Sequence, residues 1–192
     1  MKFPQLGFPE AVKKSFSYLE TDYGFEVVEI EETIVRYESS SVFVNVYHGR
    51  ASREISFEFG LKRSSSKYSS YGPGILLRTC NQTNSVEYRN FATTTIEGVV
   101  QGVSKLGTML SELGGPALQG NINFYQVLEA ESDYLVERRL VKSKAERTRP
   151  KAEEAFRSND YKKAAELYGS IEQSLTPTEL KKLAFARSKS KE

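Results

Sequence analysis

At 192 residues the chain has room for one sizeable domain, or for one domain with an appendage. An apolar content of 39%, with 22 Phe and Tyr, suffices for a packed core and excludes a disordered chain. The formal net charge of +2 hides an asymmetry: 12 Lys/Arg stand against 17 Asp/Glu through Glu137, and 15 against 8 from Arg138 onward.

A charge step of this kind marks a polyanion-binding tail in some chains, but here the basic residues alternate with Glu on predicted helices, the habit of a solvated helix face. Cys80 stands alone, which removes an intramolecular disulfide and a thiolate zinc cluster. The only available Cys/His pair is Cys80 with His48, and nothing in their spacing recommends it. Met1-Lys2-Phe3-Pro4 lacks the apolar stretch of a secretory signal, and no run approaches the roughly 18 apolar residues of a membrane span. The expected location is therefore the cytoplasm, with no membrane partner.

In chain order, Phe8, Val12, Phe16 and Leu19 form a narrow amphipathic stripe, which predicts one helix over Phe8 to Glu20 with Pro9 in its first turn. Gly24 closes it in a left-handed conformation. From Phe25 to Leu61 the period falls to two. Strands are predicted at Phe25–Glu31, Thr33–Glu38, Val42–Tyr47 and Arg53–Leu61, separated by breaks so short that only an antiparallel meander fits. One face should be buried and the other wet.

Lys62 to Gly74 is the most biased stretch, with three basic residues, Tyr68 and Tyr71. It reads either as a loop that grips phosphate with tyrosine stacking or as a flexible excursion before the next element, Ile75–Cys80; the composition favours the excursion. Val86–Phe91 suggests a further short strand. Thr94 and Glu97 match a capping box for a helix with Ile96, Val99/Val100, Val103, Leu106, Leu110 and Leu113 on one stripe. Gly98 and Gly102, one turn apart, predict a close approach to the sheet or another helix, and Gly114-Gly115-Pro116 ends the run. A long helix follows over Asn121 to about Arg147. Glu131 and Arg138, seven residues apart, fall on one face of it, either as a polar feature or with stems packed and heads in water. The basic stretch after Leu140 reads as a linker, which divides the chain into an α+β domain over 1–141 and a helical region over 142–192.

Pro150 to Lys191 reads as helix, break, helix, capped turn, helix. Asn159-Asp160-Tyr161-Lys162-Lys163-Ala164, with Tyr168 one turn on, resembles a single tetratricopeptide repeat. Ala152 and Phe156 stand near that family's small and bulky positions on the preceding helix, and Thr176-Pro177-Thr178-Glu179 resembles the Pro-marked start of a following helix. The sequence departs from the pattern in having Asn159 for the usual turn Gly and Ile171 for the usual small residue. The resemblance implies close packing through Ala164 and groove filling by Tyr168. One hairpin cannot bury its own apolar face, so it must lean on something else. The N-terminal helix ending Asp22-Tyr23-Gly24-Phe25 and the run Val35-Arg36-Tyr37-Glu38 to Val42-Phe43-Val44 loosely resemble small bacterial α+β proteins, immunity-type proteins among them. That likeness implies a partner protein.

No Gly-x-Gly-x-x-Gly, phosphate-loop lysine, His-Glu-x-x-His or Gly-x-Ser-x-Gly pattern occurs. Glu29, Glu31, Glu32, Glu54 and Glu58 lie on or beside predicted strands. Glu54 and Glu58 share a face with Ser56, within reach of Glu38 or Asn45. A carboxylate pair there is either a site for Mg²⁺ and acid–base chemistry or an ordinary wet sheet face. His48, in Tyr47-His48-Gly49-Arg50, is expected to face solvent at a hairpin turn. The sequence thus describes an α+β protein: an N-terminal helix, a four-stranded antiparallel meander covered by helices, and an all-helical C-terminal region. The leading expectation is a non-enzymatic protein-interaction protein, an immunity or adaptor protein, with no cofactor, no metal and no catalytic residue. Its candidate partner contacts are Tyr47, Arg50, Tyr68, Tyr71, Ala164 and Tyr168. Two alternatives stand beside it: a nucleic-acid-associated protein using loop 62–71 and segment 138–151, and a metal-assisted hydrolase on the sheet carboxylates.

Overall fold

The computed structural model describes residues 6–62, 68–80 and 88–190. The middle of the basic loop (63–67) and the start of the Val86–Phe91 segment lie outside the described residues. The fold is α+β, with two compact units that meet in sequence at Ser132 and Asp133.

The first unit opens with two helices where the stripe predicts one, α1 (Phe8–Ser15) and α2 (Tyr18–Tyr23). Phe16 leaves helical geometry between them, yet Phe8, Val12, Phe16 and Leu19 are all buried, so the apolar stripe survives the break. Gly24 closes α2 at φ +66, in the left-handed region that a Cβ disfavours.

The meander is β1 (Glu26–Glu31), β2 (Ile34–Glu38), β3 (Val42–His48) and β4 (Glu54–Leu61), all antiparallel and in sequence order. A fifth strand, β5 (Phe91–Ala92), pairs with the start of β4, Ile55 opposite Phe91. Farther along the same edge of β4, Tyr71 exchanges two backbone bonds with Phe59, of 2.8 and 3.0 Å. The β4 edge is thereby paired at both ends, whereas among the described residues no strand lies beyond β1.

Alternation buries Val35, Tyr37, Val42, Val44, Val46, Ile55, Phe57 and Phe59 on one side of the sheet. Helices α1, α3 (Pro73–Thr79) and α4 (Ile96–Leu113) pack there. Helix α4 buries Val99, Val103, Leu106 and Leu110, while Ile96 and Val100 are half exposed, so its stripe is narrower than expected. Its cap is Thr95, one residue after the predicted Thr94: the Thr95 hydroxyl accepts the Gly98 N–H at 3.1 Å. With the cap moved, Glu97 no longer sits where a capping box needs it. The approach of backbone to backbone also falls elsewhere. A Cβ on Gly102 would stand 2.6 Å from the Phe91 ring, but one on Gly107 would stand 2.6 Å from the Ser15 carbonyl oxygen of α1. A single turn, α5 (Gly115–Leu118), follows the Gly-Gly-Pro stop.

Helix α6 (Ile122–Arg157) contributes Tyr125 and Leu128 to the first unit's core. The stretch read as a linker is helical and continues through Pro150. The physical reason lies in its composition: Lys, Arg, Glu and Ala are all strong helix formers, and charge alone does not make a linker. Pro150 costs one backbone bond, and the helix tolerates it. The division between units falls inside α6, ahead of the expected 141/142 boundary.

The second unit comprises the remainder of α6, α7 (Tyr161–Gly169) and α8 (Pro177–Lys189). Asn159 sits in the turn at φ +59, a conformation that Asn adopts more readily than most residues. Asp160 caps α7 by accepting the Lys163 N–H at 3.1 Å. Thr176 and Glu179 form the predicted capping box, with Pro177 in the first turn of α8. The small residues Ala152, Ala155, Ala164 and Ala186 let the three helices approach closely around Tyr168 and Leu183. Phe156, Tyr161 and Phe185 meet edge to face at 5.4–5.9 Å beside them.

Candidate functional site

The helices cover one face of the sheet, and the alternation that fills the core sends a second set of side chains the other way. Cross-strand pairing arranges these in rows: Ile34, Tyr47 and Ser56; Arg36, Asn45 and Glu58; Glu38 and Phe43 with Gly60. Strand β1 extends the rows only because of a bulge. The register slips between Val27 and Glu29, after which Glu29 stands opposite Arg36 and Glu31 opposite Ile34. In an unbroken register Glu29 would oppose the buried Val35 instead. The bulge therefore turns Glu29 and Glu31 to the outer face, beside Glu26, and turns Ile30 to the core side.

The centre of this face is internally neutralised. Glu38 receives Arg36 Nε at 2.8 Å and Lys62 Nζ at 2.5 Å, and Lys62 and Arg36 together hold its carboxyl below the ordinary glutamate range. The Arg36 guanidinium lies over the Phe43 ring at 4.9 Å. Glu58 accepts Asn45 Nδ2 on one oxygen and Ser70 Oγ on the other, both at 2.8 Å. Ser56 is buried, its hydroxyl donating to Asn90 at 3.0 Å. At the far side Tyr88 is pushed up to about 12 by burial, with Tyr47 and Glu54 adding to the effect.

The β1 side is different. Glu26, Glu29 and Glu31 are exposed and form no ion pair among the described residues, because Arg36 turns to Glu38 rather than to its cross-strand neighbour Glu29. Val28 and Ile30, half exposed, lie between the glutamates. On the core side of β1, against the start of α1, is a hollow of about 680 Å³. Leu6, Phe8 and Ile30 give it apolar walls, and the acidic residues Glu10 and Glu32 also line it.

The residues singled out from sequence are dispersed. Tyr47 lies half-buried on the outer face and Arg50 is exposed in the β3–β4 turn. Tyr68 is half-buried against Tyr71, whose ring packs among Phe59 and Tyr125 at 6.2 and 5.9 Å in the core. Ala164 and Tyr168 are fully buried inside their own unit, so neither presents a surface to a partner. The Tyr168 hydroxyl donates to Glu153 at 2.9 Å, and Lys182 reaches the same carboxylate oxygen at 2.5 Å. His48, expected in solvent, is buried at the end of β3, its Nε2 3.1 Å from the Thr93 carbonyl and its ring against Phe8. The alternation Val42, Val44, Val46 continues one step further than predicted, and that step carries His48 inward. Cys80, its thiol pushed up by burial, points at the Leu113 carbonyl and is a poor nucleophile.

Glu131 and Arg138 bind different neighbours: Glu131 pairs with Arg78 at 2.5 Å, and Arg138 lies over the Tyr134 ring at 5.6 Å. In the basic stretch of α6, Arg139, Lys142, Lys144, Arg147 and Lys151 are exposed. Arg149 is engaged by Glu179 and the Ser174 carbonyl. Among the described residues no group of three or more His, Cys, Asp or Glu is placed to hold a metal ion. No helix among them is long and apolar enough to cross a membrane.

Glu26 and the bulge were not singled out from sequence, although a signal exists. The alternation of Glu and aliphatic residues in Glu26-Val27-Val28-Glu29-Ile30-Glu31 slips at the Val doublet. The chain matches no family model, no curated protein and no solved structure.

Proposed function

We propose that the chain is a non-enzymatic protein-interaction protein of the cytoplasm that holds a basic partner protein on the outer face of its sheet. The supporting observation is the division of charge on that face: Glu38 and Glu58 are bound internally, while Glu26, Glu29 and Glu31 keep their charges turned to solvent. Charge of one sign with no ion pair among the described residues, beside half-exposed Val28, suits a protein surface of opposite charge. In the immunity-type reading that partner is a toxin; in the adaptor reading it is another basic protein. The second unit reads as one tetratricopeptide-like hairpin with α8 as its cap, its groove-filling residues spent on its own core.

The test is capture on the immobilised full chain from the cells that make it, compared with two variants. Glu26→Lys/Glu29→Lys should lose a stoichiometric basic protein, and Arg138→Glu/Lys142→Glu should retain it. If wild type holds no stoichiometric protein, the reading fails. The nucleic-acid reading draws on the exposed cations of α6. It requires a labelled oligonucleotide to shift at low salt and to release steeply as salt rises.

A further inference from the structure

The two edges of the sheet are treated differently, and the difference points to how a partner is held. The β4 edge is occupied by β5 and by Tyr71. Strand β1 has β2 on one side and, among the described residues, no strand on the other. An edge strand presents alternate N–H and C=O groups outward, a template for one more strand. We infer that β1 is the docking edge for an extended basic segment of the partner protein, which adds as a further strand and seats one Lys or Arg in the hollow beside Ile30. This inference rests on the partner-binding reading above and specifies its geometry.

The occupant follows from the period of a strand. Side chains of an added strand alternate between the two faces. Those on the outer face run beside Glu26, Glu29 and Glu31, carboxylates that form no ion pair among the described residues. Those on the other face lie beside Ile30, over the 680 Å³ hollow. Its apolar walls suit an aliphatic stem, and Glu10 and Glu32 suit a charged head. A Lys or Arg side chain is built in that order. A purely apolar residue would leave the carboxylates unmatched, and an acidic one would be repelled.

A second copy of this chain is a poor occupant. The segment Glu26 to Glu32 carries four glutamates, so edge-to-edge pairing of two copies would set carboxylates against carboxylates. The same residues that admit a basic strand thus keep copies of the chain apart.

The probe is a fluorescein-labelled Lys-Val-Arg-Val-Lys-Val-Arg peptide, measured by anisotropy with the full chain at low ionic strength, about 0.02 M. A second peptide of the same sequence carries N-methyl groups on alternate amides, which preserves charge and removes strand pairing. The unmodified peptide should bind and slow amide exchange across β1. N-methylation should weaken binding by about tenfold or more, as should Glu29→Lys/Glu31→Lys or Ile30→Glu, while Glu97→Lys/Glu112→Lys on α4 should change it by less than about twofold. Circular dichroism confirms that each variant is folded. Equal binding by the methylated peptide would overturn strand addition while leaving the acidic-face reading standing. So would binding that depends on Glu29 without any protection of β1. Wild-type binding that Ile30→Glu leaves unchanged would remove the seated side chain. Failure of the unmodified peptide to bind at all, or a dimer whose β1 amides are protected without peptide, would overturn the proposal outright.

Discussion

Replacing Gly107 by Ala tests the packing on which the β1 hollow depends. In an isolated helix the change favours Ala by about 1 kcal/mol. In this fold the new Cβ would lie 2.6 Å from the Ser15 carbonyl oxygen and 3.2 Å from the Ser15 Cβ. The first of these is main chain and cannot swing aside, so α1 must move away from α4. That movement loosens Val12 and Phe16 in the core and stretches the 3.2 Å bond from the Tyr18 hydroxyl to the Gly107 carbonyl. Overpacking of this kind costs about 1–3 kcal/mol and the strained hydrogen bond about 1 more, so steric cost outweighs helix propensity. The expected net loss is about 1–3 kcal/mol, a fall in Tm of roughly 3–12 °C for a unit of this size. Scanning calorimetry measures it, with Ser104→Ala, exposed on the same helix, as a control expected to stay within about 0.5 kcal/mol. A Gly107→Ala protein as stable as wild type, or more so, would refute the close contact between α1 and α4.

The second unit offers a double-mutant cycle. Glu153→Ala strands the part-buried Tyr168 hydroxyl and should cost about 1–3 kcal/mol in urea unfolding, Tyr168→Phe about 1, and Tyr168→Phe should cost nothing or restore part of the loss once Glu153 is gone. Stability should also depend on acid. Hydrogen bonds from Lys182 and Tyr168 hold the Glu153 carboxyl below its ordinary range, and those from Lys62 and Arg36 do the same for Glu38. Both contributions are therefore complete above the unfolded glutamate pKa of about 4.3 and fade as pH falls below it. Thermal melts should be flat from neutrality to about pH 5 and decline further down, with a smaller decline in Lys182→Met and Lys62→Met. The two sides of the sheet should separate sharply: Phe57→Ala, fully buried, should cost about 3–5 kcal/mol, and Phe43→Ala on the outer face about 1 or less by urea unfolding.

What the sequence reveals follows the strength of its periodicities. The β2–β4 strands alternate cleanly and the hairpin turns are short, so the meander and its buried face are legible in advance. The cap at Thr176 is legible because Pro177 and Glu179 reinforce it. Three consecutive threonines before α4 offer no such discrimination, and the cap falls on Thr95, whose N–H donates to the Thr93 hydroxyl. Charge hides the continuity of α6, since a run of Lys, Arg and Glu reads as solvent-seeking whether helical or not. The partner of β4 at Tyr71 is invisible because it comes from a loop brought back by long-range contact. Most of the candidate site escapes for a similar reason. Glu26, Glu29 and Glu31 share a face only through a one-residue bulge, and the hollow beside Ile30 needs α1 in place.

A photoreactive side chain in place of Glu29, compared with one in place of Lys144 on the helical unit, tests the central claim most directly. Irradiated in the cells that make the protein, the Glu29 position should yield one dominant adduct with a basic protein, and the Lys144 position none. An adduct confined to Lys144, or attachment to nucleic acid at either position, would contradict the assignment of the sheet's acidic side as the partner surface.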